Sequence, residues 1–347
     1  MSDVEPSAAQ LRSRRASAAR WLARVSLAPY TGVIVGLVIV CVFLTATQPV
    51  FLTWANFRSV IGANTVILIL AVGETFVIIS GGIDLSTASA TTATGMVLGL
   101  ALEHGWSLVP ALLVTLTFGL VIGLANGLLI TKVKISFLVV TLGALSIWQS
   151  FALIVDSGGS IAVFGVSAFT PIGDLVNNGI GPISLLMIFD VLLVLLAGGI
   201  LRVTTFGRAV FAVGSNDEAA RLNGVNVSGV LIGVYALAGL AAGVAAVISV
   251  GRLTAAASQS DPNLLLEVLA AVLIGGTSFS GGEGGIFGTV VGVLFLGAVQ
   301  NGLILSSVSA FWQGTVSGII LILAVGLSAL RNRGWKLRRG APAVRTL

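Results

Sequence analysis

Charge is what this sequence lacks most. Only 9% of its 347 residues are Asp, Glu, Lys or Arg, 56% are hydrophobic, and the mean hydropathy is +1.08. A soluble domain carries about a quarter charged residues, so soluble classes are excluded and the chain reads as an integral membrane protein. A single cysteine, Cys41, lies inside the first apolar run, which rules out an intrachain disulfide and leaves no redox or metal framework. A single histidine, His104, in a short loop, supplies too few ligands for a metal site and no base for a nucleophilic triad. The glycine-rich stretch 275–285 contains no lysine and follows no soluble strand, so it is a close-packed turn and not a nucleotide-binding loop. Neither an enzyme nor a cofactor is therefore expected. The net charge of +5 comes from basic residues in tails and short loops, where they act as orientation signals and not as a nucleic-acid surface.

What the sequence has is glycine and long apolar runs. Its 44 glycines suit spanning helices, which approach closely through small residues. The apolar runs divide the chain into roughly ten spans of about 20 residues each. The first covers residues 27–46, behind a polar tail, 1–26, with five arginines. The second ends at Ser80, before the break 81–86, and the third and fourth follow to Thr131. Lys132 and Lys134 mark the next turn, and the fifth run leads into the longest connector, 156–182. The sixth run ends at a polar island, 202–227, and the seventh is residues 228–250. The eighth and ninth flank the break 275–285, and the tenth reaches Leu330 before the basic tail 331–347. Of 18 Lys and Arg, only Arg58 and Arg252 fall on the face opposite the tails, which predicts cytoplasmic termini. The expected organisation is a polytopic membrane domain over 27–330 between two cytoplasmic basic tails.

Two blocks recur. Phe118-Gly119 through Gly123 in the fourth run matches Phe287-Gly288 through Gly292 in the ninth, and Asn126-Gly127-Leu128 matches Asn301-Gly302-Leu303. Runs five apart point opposite ways in an alternating topology, so the blocks read as an inverted repeat of spans 2–5 and 7–10. Composition alone also generates such glycine matches.

The polar island is the feature around which the chain is organised. Its segment 216–222 reads as a short helix with Asn216 as N-cap, Asp217 and Glu218 in the first turn and Gly224 as the stop. Placed between two spans on the basic side, it can be pushed from the cytoplasm. In the break, Gly81 and Gly82 permit a tight turn, and Asp84 or Ser86 can cap the helix that follows; the same polar groups at a helix end could instead meet a substrate. Glu74 and Asp190 are carboxylates within apolar runs, each costing about 2.5–3.5 kcal/mol on insertion scales. They are either hydrogen-bonded between helices or part of a proton relay, and the relay would make the chain a proton-coupled secondary transporter acting alone.

Three blocks together resemble the ribose-type permease subunits of bacterial ABC sugar importers. They are residues 73–86 (GETFVIISGGIDLS), Thr205-Phe206-Gly207-Arg208 through Gly224, and Gly275-Gly276-Thr277-Ser278 through Gly288. The resemblance covers about residues 48–330. It implies an all-α, polytopic permease in the bacterial inner membrane that passes a monosaccharide or related polyol by alternating access. It also implies cytoplasmic ABC ATPase subunits, a periplasmic or lipid-anchored sugar-binding protein and a second permease copy, in a homodimer or heterodimer. Glu218, Ala219, Ala220 and Gly224 resemble the loop through which such permeases dock their ATPase, with Arg208 as a flank. Glu74, Gly81, Gly82, Asp84 and Ser86 would lie near the substrate path. Glu74 stands where glutamine is usual, and Thr-Ala-Ser follows Ser86 in place of Val-Gly-Ser; both departures bear on the choice of sugar.

Overall fold

The computed structural model describes residues 30–309, 312–323 and 326, so the tails expected at 1–26 and 331–347 lie outside the described residues. The chain is all-α apart from two short antiparallel strand pairs. The first five helices are α1 (Thr31–Thr47), α2 (Trp54–Ile79), α3 (Thr87–Glu103), α4 (Leu108–Leu128) and α5 (Phe137–Val155). After β1 (Ser160–Ala162), α6 (Thr170–Asn177), β2 (Gly179–Ile180) and β3 (Ile183–Ser184) comes α7 (Leu185–Val203). The island holds α8 (Thr205–Ser215) and α9 (Asp217–Leu222), and α10 (Val227–Leu253), β4 (Ala255–Ala257), α11 (Leu264–Ile274), α12 (Ile286–Leu305) and α13 (Trp312–Leu323) complete the described chain.

Six of these helices are long and apolar enough to cross a membrane, α4 by continuing through a π-turn to Val133, while α1, α11 and α13 are shorter apolar helices among the described residues. The even spacing of about 20 residues per span therefore fails most clearly at the eighth run. There α11 has only 11 residues, because the chain before it is extended and the chain after it turns at Gly275-Gly276. Outward faces such as Val38, Ile39, Val42 and Phe43 on α1 and Val191, Leu192, Leu195 and Leu196 on α7 are exposed and apolar, as hydrocarbon requires.

The core is built on α2, buried continuously from Ile67 to Ile79. Beside it, α4 and α10 cross in backbone contact: a Cβ on Gly119 or Gly239 would strike the other helix's carbonyl oxygen, and one on Gly123 would strike that of Tyr235. Side chains are excluded there, so dispersion contact between backbones holds the pair. The other copy of the glycine block does the same kind of work, with Gly288 and Gly292 of α12 set against the carbonyls of Gly275 and Ala271.

One end of the bundle carries the island and both glycine breaks. At the opposite end, the Trp54 and Phe57 rings meet at a tilt with centroids 5.3 Å apart, and Trp54 Nε1 donates to the Pro182 carbonyl at 2.8 Å. At that end too, β1 pairs with β4 (Ser160 opposite Ala257), tying the longest connector to the chain after α10. From there β4 runs back along α3: Ala256 lies against Gly99, and Ser260 reaches Thr92.

Candidate functional site

The island folds as two helices where the sequence suggested one. Thr204 caps α8 by accepting the Gly207 N–H, a signal legible in Thr204-Thr205 but masked by the apolar character of Phe206 to Val213. The second helix, α9, has the expected chemistry. Asn216 Oδ1 accepts the Ala219 N–H at 2.9 Å, Asp217 and Glu218 occupy the first turn, and Gly224 follows with φ +83 while the Val225 N–H returns to the Ala220 carbonyl. Asn216→Ala is expected to destabilise α9 by about 1 kcal/mol and to raise amide hydrogen exchange across residues 217–222.

Of the residues expected to couple, Glu218, Ala219 and Gly224 are exposed, and Ala220 is 5% exposed and joins the chain's own core. Leu222, at the tip of α9, is a large apolar side chain left 83% exposed. Arg208 lies on α8, with Nη1 on the Val203 carbonyl at 3.0 Å, so it steadies the junction with α7 and does not border α9's outer face.

At the end of α8, Gly214 is wedged between the two breaks. A Cβ there would overlap the Ile79 carbonyl and come within 2.7 Å of the Gly282 nitrogen. Those two groups bond to each other, Gly282 N–H to Ile79 O at 2.8 Å, so the break after α2 and the break before α12 are stitched together beneath α8. Gly81 and Gly281 both have positive φ (89 and 76), which lets the chain turn sharply enough for this approach. A cavity of ≈ 360 Å³ lies alongside, lined by Ser80, Gly82, Ser215, Asn216, Asp217 and Tyr235 among others.

The first break is held by polar groups from every side. Glu74, fully buried on α2, accepts the Asp84 N–H at 3.0 Å, and Thr87 Oγ1 lies 3.5 Å from its other oxygen. Asp84 Oδ1 accepts both the N–H and the hydroxyl of Ser86, and Asn126 of α4 donates to Ser86 Oγ at 3.1 Å. Tyr235 of α10 points its hydroxyl at the Ile83 carbonyl, 3.4 Å away. Neither Asp84 nor Ser86 caps α3 as the sequence suggested. Ser86 sits at the cap position without a side-chain cap bond, because Asp84 has already turned inward to bind it. Glu74, Gly81, Gly82, Asp84 and Ser86 are thus brought together, in a buried knot whose polar groups hydrogen-bond to one another.

Asp190 is elsewhere. It accepts from Thr65 of α2 at 2.9 Å, and nine residues of helix, about 13 Å, separate Thr65 from Glu74. The two intramembrane acids do not make one relay. Among the described residues no group of three His, Cys, Asp or Glu could hold a metal ion.

Residues 56–325 match the family described as branched-chain amino acid transport system / permease component. The chain belongs to that permease family. Among curated proteins, the permease is 36% identical over 315 residues to a probable ABC transporter permease protein of Sinorhizobium fredii, covering 89% of this chain and 90% of the relative. It is 35% identical to the ribose import permease protein of Bacillus subtilis (87% and 93% covered) and 33% identical to the L-arabinose ABC transporter permease protein of Azospirillum brasilense (85% and 86%). No solved structure matches. None of these three relatives is named as a proton-coupled transporter, so the rival expectation gains nothing from them. With six long apolar helices, the permease is a multi-pass membrane protein.

Proposed function

We propose that the permease is the transmembrane subunit of an ABC importer that translocates a monosaccharide or related polyol. The observation that carries this reading is the seat of Gly214 between the two breaks: a push on α9 reaches α8, and through Gly214 both Ile79 and Gly282, with no flexible linker between. The capped helix is the lever and the breaks are the joints. Relatives named for ribose and L-arabinose supply the substrate class.

In this reading Glu218, Ala219, Gly224 and exposed Leu222 meet a cytoplasmic ABC ATPase, which hydrolyses ATP in its own subunit. Ala220 anchors the lever from within, and Arg208 fixes its root. The sugar arrives from an external binding protein, and a second permease copy, identical or different, completes the pore within the lipid of the bacterial inner membrane. The island end is cytoplasmic, with both termini on that side, and the Arg58 and Arg252 end faces out. Nucleotide-driven closure of the ATPases moves α9 and reopens the bundle on the other side.

The test is uptake of radiolabelled D-ribose, L-arabinose or D-galactose by proteoliposomes holding the permease, its ATPase and its binding protein. ATP-dependent accumulation is the expected result; accumulation driven by a pH gradient without ATP would overturn the proposal. Glu74→Gln sharpens this test, because it keeps an acceptor for the Asp84 N–H but removes the ionisable group. ATP-dependent uptake should fall by less than about threefold. Abolished uptake with a normally folded protein would return Glu74 to the transport chemistry.

A further inference from the structure

We infer that the extended segment 255–261, lowered beside α3, forms a binding site for the hydroxyl groups of a polyol at the middle of the membrane. This deepens the importer reading and rests on it. The Thr92 and Ser260 hydroxyls share a hydrogen bond of 2.8 Å. Thr92 lies eleven residues from the end of α3 at Glu103, about 16 Å along the helix axis, which is half of a hydrocarbon core of about 30 Å. Ser260 is therefore carried to mid-depth by a chain that is not helical. Irregular backbone at that depth is tolerated only where it is buried in protein or lines an aqueous cavity.

Here it lines a cavity. A space of ≈ 360 Å³, large enough for one sugar ring with water, is bounded by α3, α10, the 255–261 segment and the start of α11. Into it face Thr91, Thr92, Ser249, Gln259, Ser260 and Asp261. Asp261 Oδ1 accepts the Asn263 N–H at 2.8 Å, leaving Oδ2 for a ligand. No hydrogen bond of the Gln259 amide or the Ser249 hydroxyl occurs among the described residues, and Gln259 is exposed. One carboxylate oxygen, one amide and a set of hydroxyls can both donate to and accept from sugar hydroxyls, while Ala246, Val250 and Leu264 offer apolar walls to the ring. The site carries no net cation and suits an uncharged ligand. The knot at Glu74 and Asp84, by contrast, is buried and closed by hydrogen bonds among its own groups, whereas this cavity is open.

Gln259 is the position to change, since its amide holds nothing in the protein together. In the complete importer in proteoliposomes, with radiolabelled D-ribose and D-galactose as probes, Gln259→Leu should lower the maximal uptake rate by about tenfold. The half-saturating sugar concentration should not move, because capture happens on the external binding protein. In parallel, Gln259→Cys in a Cys41→Ala background should react with a small membrane-impermeant thiosulfonate, as an aqueous pocket requires. Wild-type uptake by Gln259→Leu, or an unreactive cysteine at that position, overturns the site and leaves the importer reading standing. Failure of the unaltered importer to take up either sugar overturns the monosaccharide reading and the site with it.

Discussion

Sugar uptake is expected to fall by roughly tenfold or more when Gly214 is replaced by valine, while the permease still co-purifies with its ATPase. The first β-carbon alone would overlap the Ile79 carbonyl, and the branch would strike Gly282. Overpacking of this kind costs about 1–3 kcal/mol in a close-packed interior. Relief requires α8 to lift away from the breaks, because backbone on the other side cannot rotate aside as a side chain could. The lever then loses its seat. Since α9 is capped by its own Asn216 and its outer face is untouched, ATPase docking should survive. Measured together, uptake and co-purification separate a broken transmission from a misfolded protein. Undiminished uptake in Gly214→Val would remove the mechanical basis of the proposed function.

The second large effect is on stability. Asp84→Ala is expected to destabilise the permease by about 3 kcal/mol, because two buried donors of Ser86, its N–H and its hydroxyl, lose a common acceptor in a site closed to water. Asn126 would then face a hydroxyl free to turn away. Thermal unfolding in detergent should shift down by several degrees. Asp84→Asn keeps one acceptor oxygen for Ser86 and should lose about 1 kcal/mol. If alanine were as stable as wild type, the knot would not be what fixes the break, and the rigid link between α2 and α3 would need another account.

Some of this was legible without coordinates and some was not. The α9 helix was legible because its signals are local: an Asn cap, acids in the first turn and a glycine just past the end all lie within nine residues. The other island helix, α8, is not legible in the same way, because its cap Thr204 lies only three residues past the apolar sixth run and reads as part of a loop. Asp84 and Ser86 stand out in the sequence as the polar content of the break, but the capping role it suggests is not the one they hold. A capping bond depends on which way one carboxylate turns, and that was decided by Ser86 and by Glu74 ten residues earlier on α2. Ala220, expected with its neighbours to couple, lies buried against the chain's own core, and nothing in a six-residue helix says which side its own protein covers.

The sequence by itself determined that the chain lives in a membrane, where its apolar runs fall, which residues break them and where the short capped helix lies. Each of these follows from hydropathy summed over a span or from backbone needs within a turn or two. Only the tertiary structure decided that two breaks about 200 residues apart meet under Gly214. It alone brought β4 down along α3 to open a polar cavity at mid-depth. Those juxtapositions depend on how closely helices without side chains at their crossings can approach. That distance is set by packing among elements remote in the chain, and no local pattern encodes it.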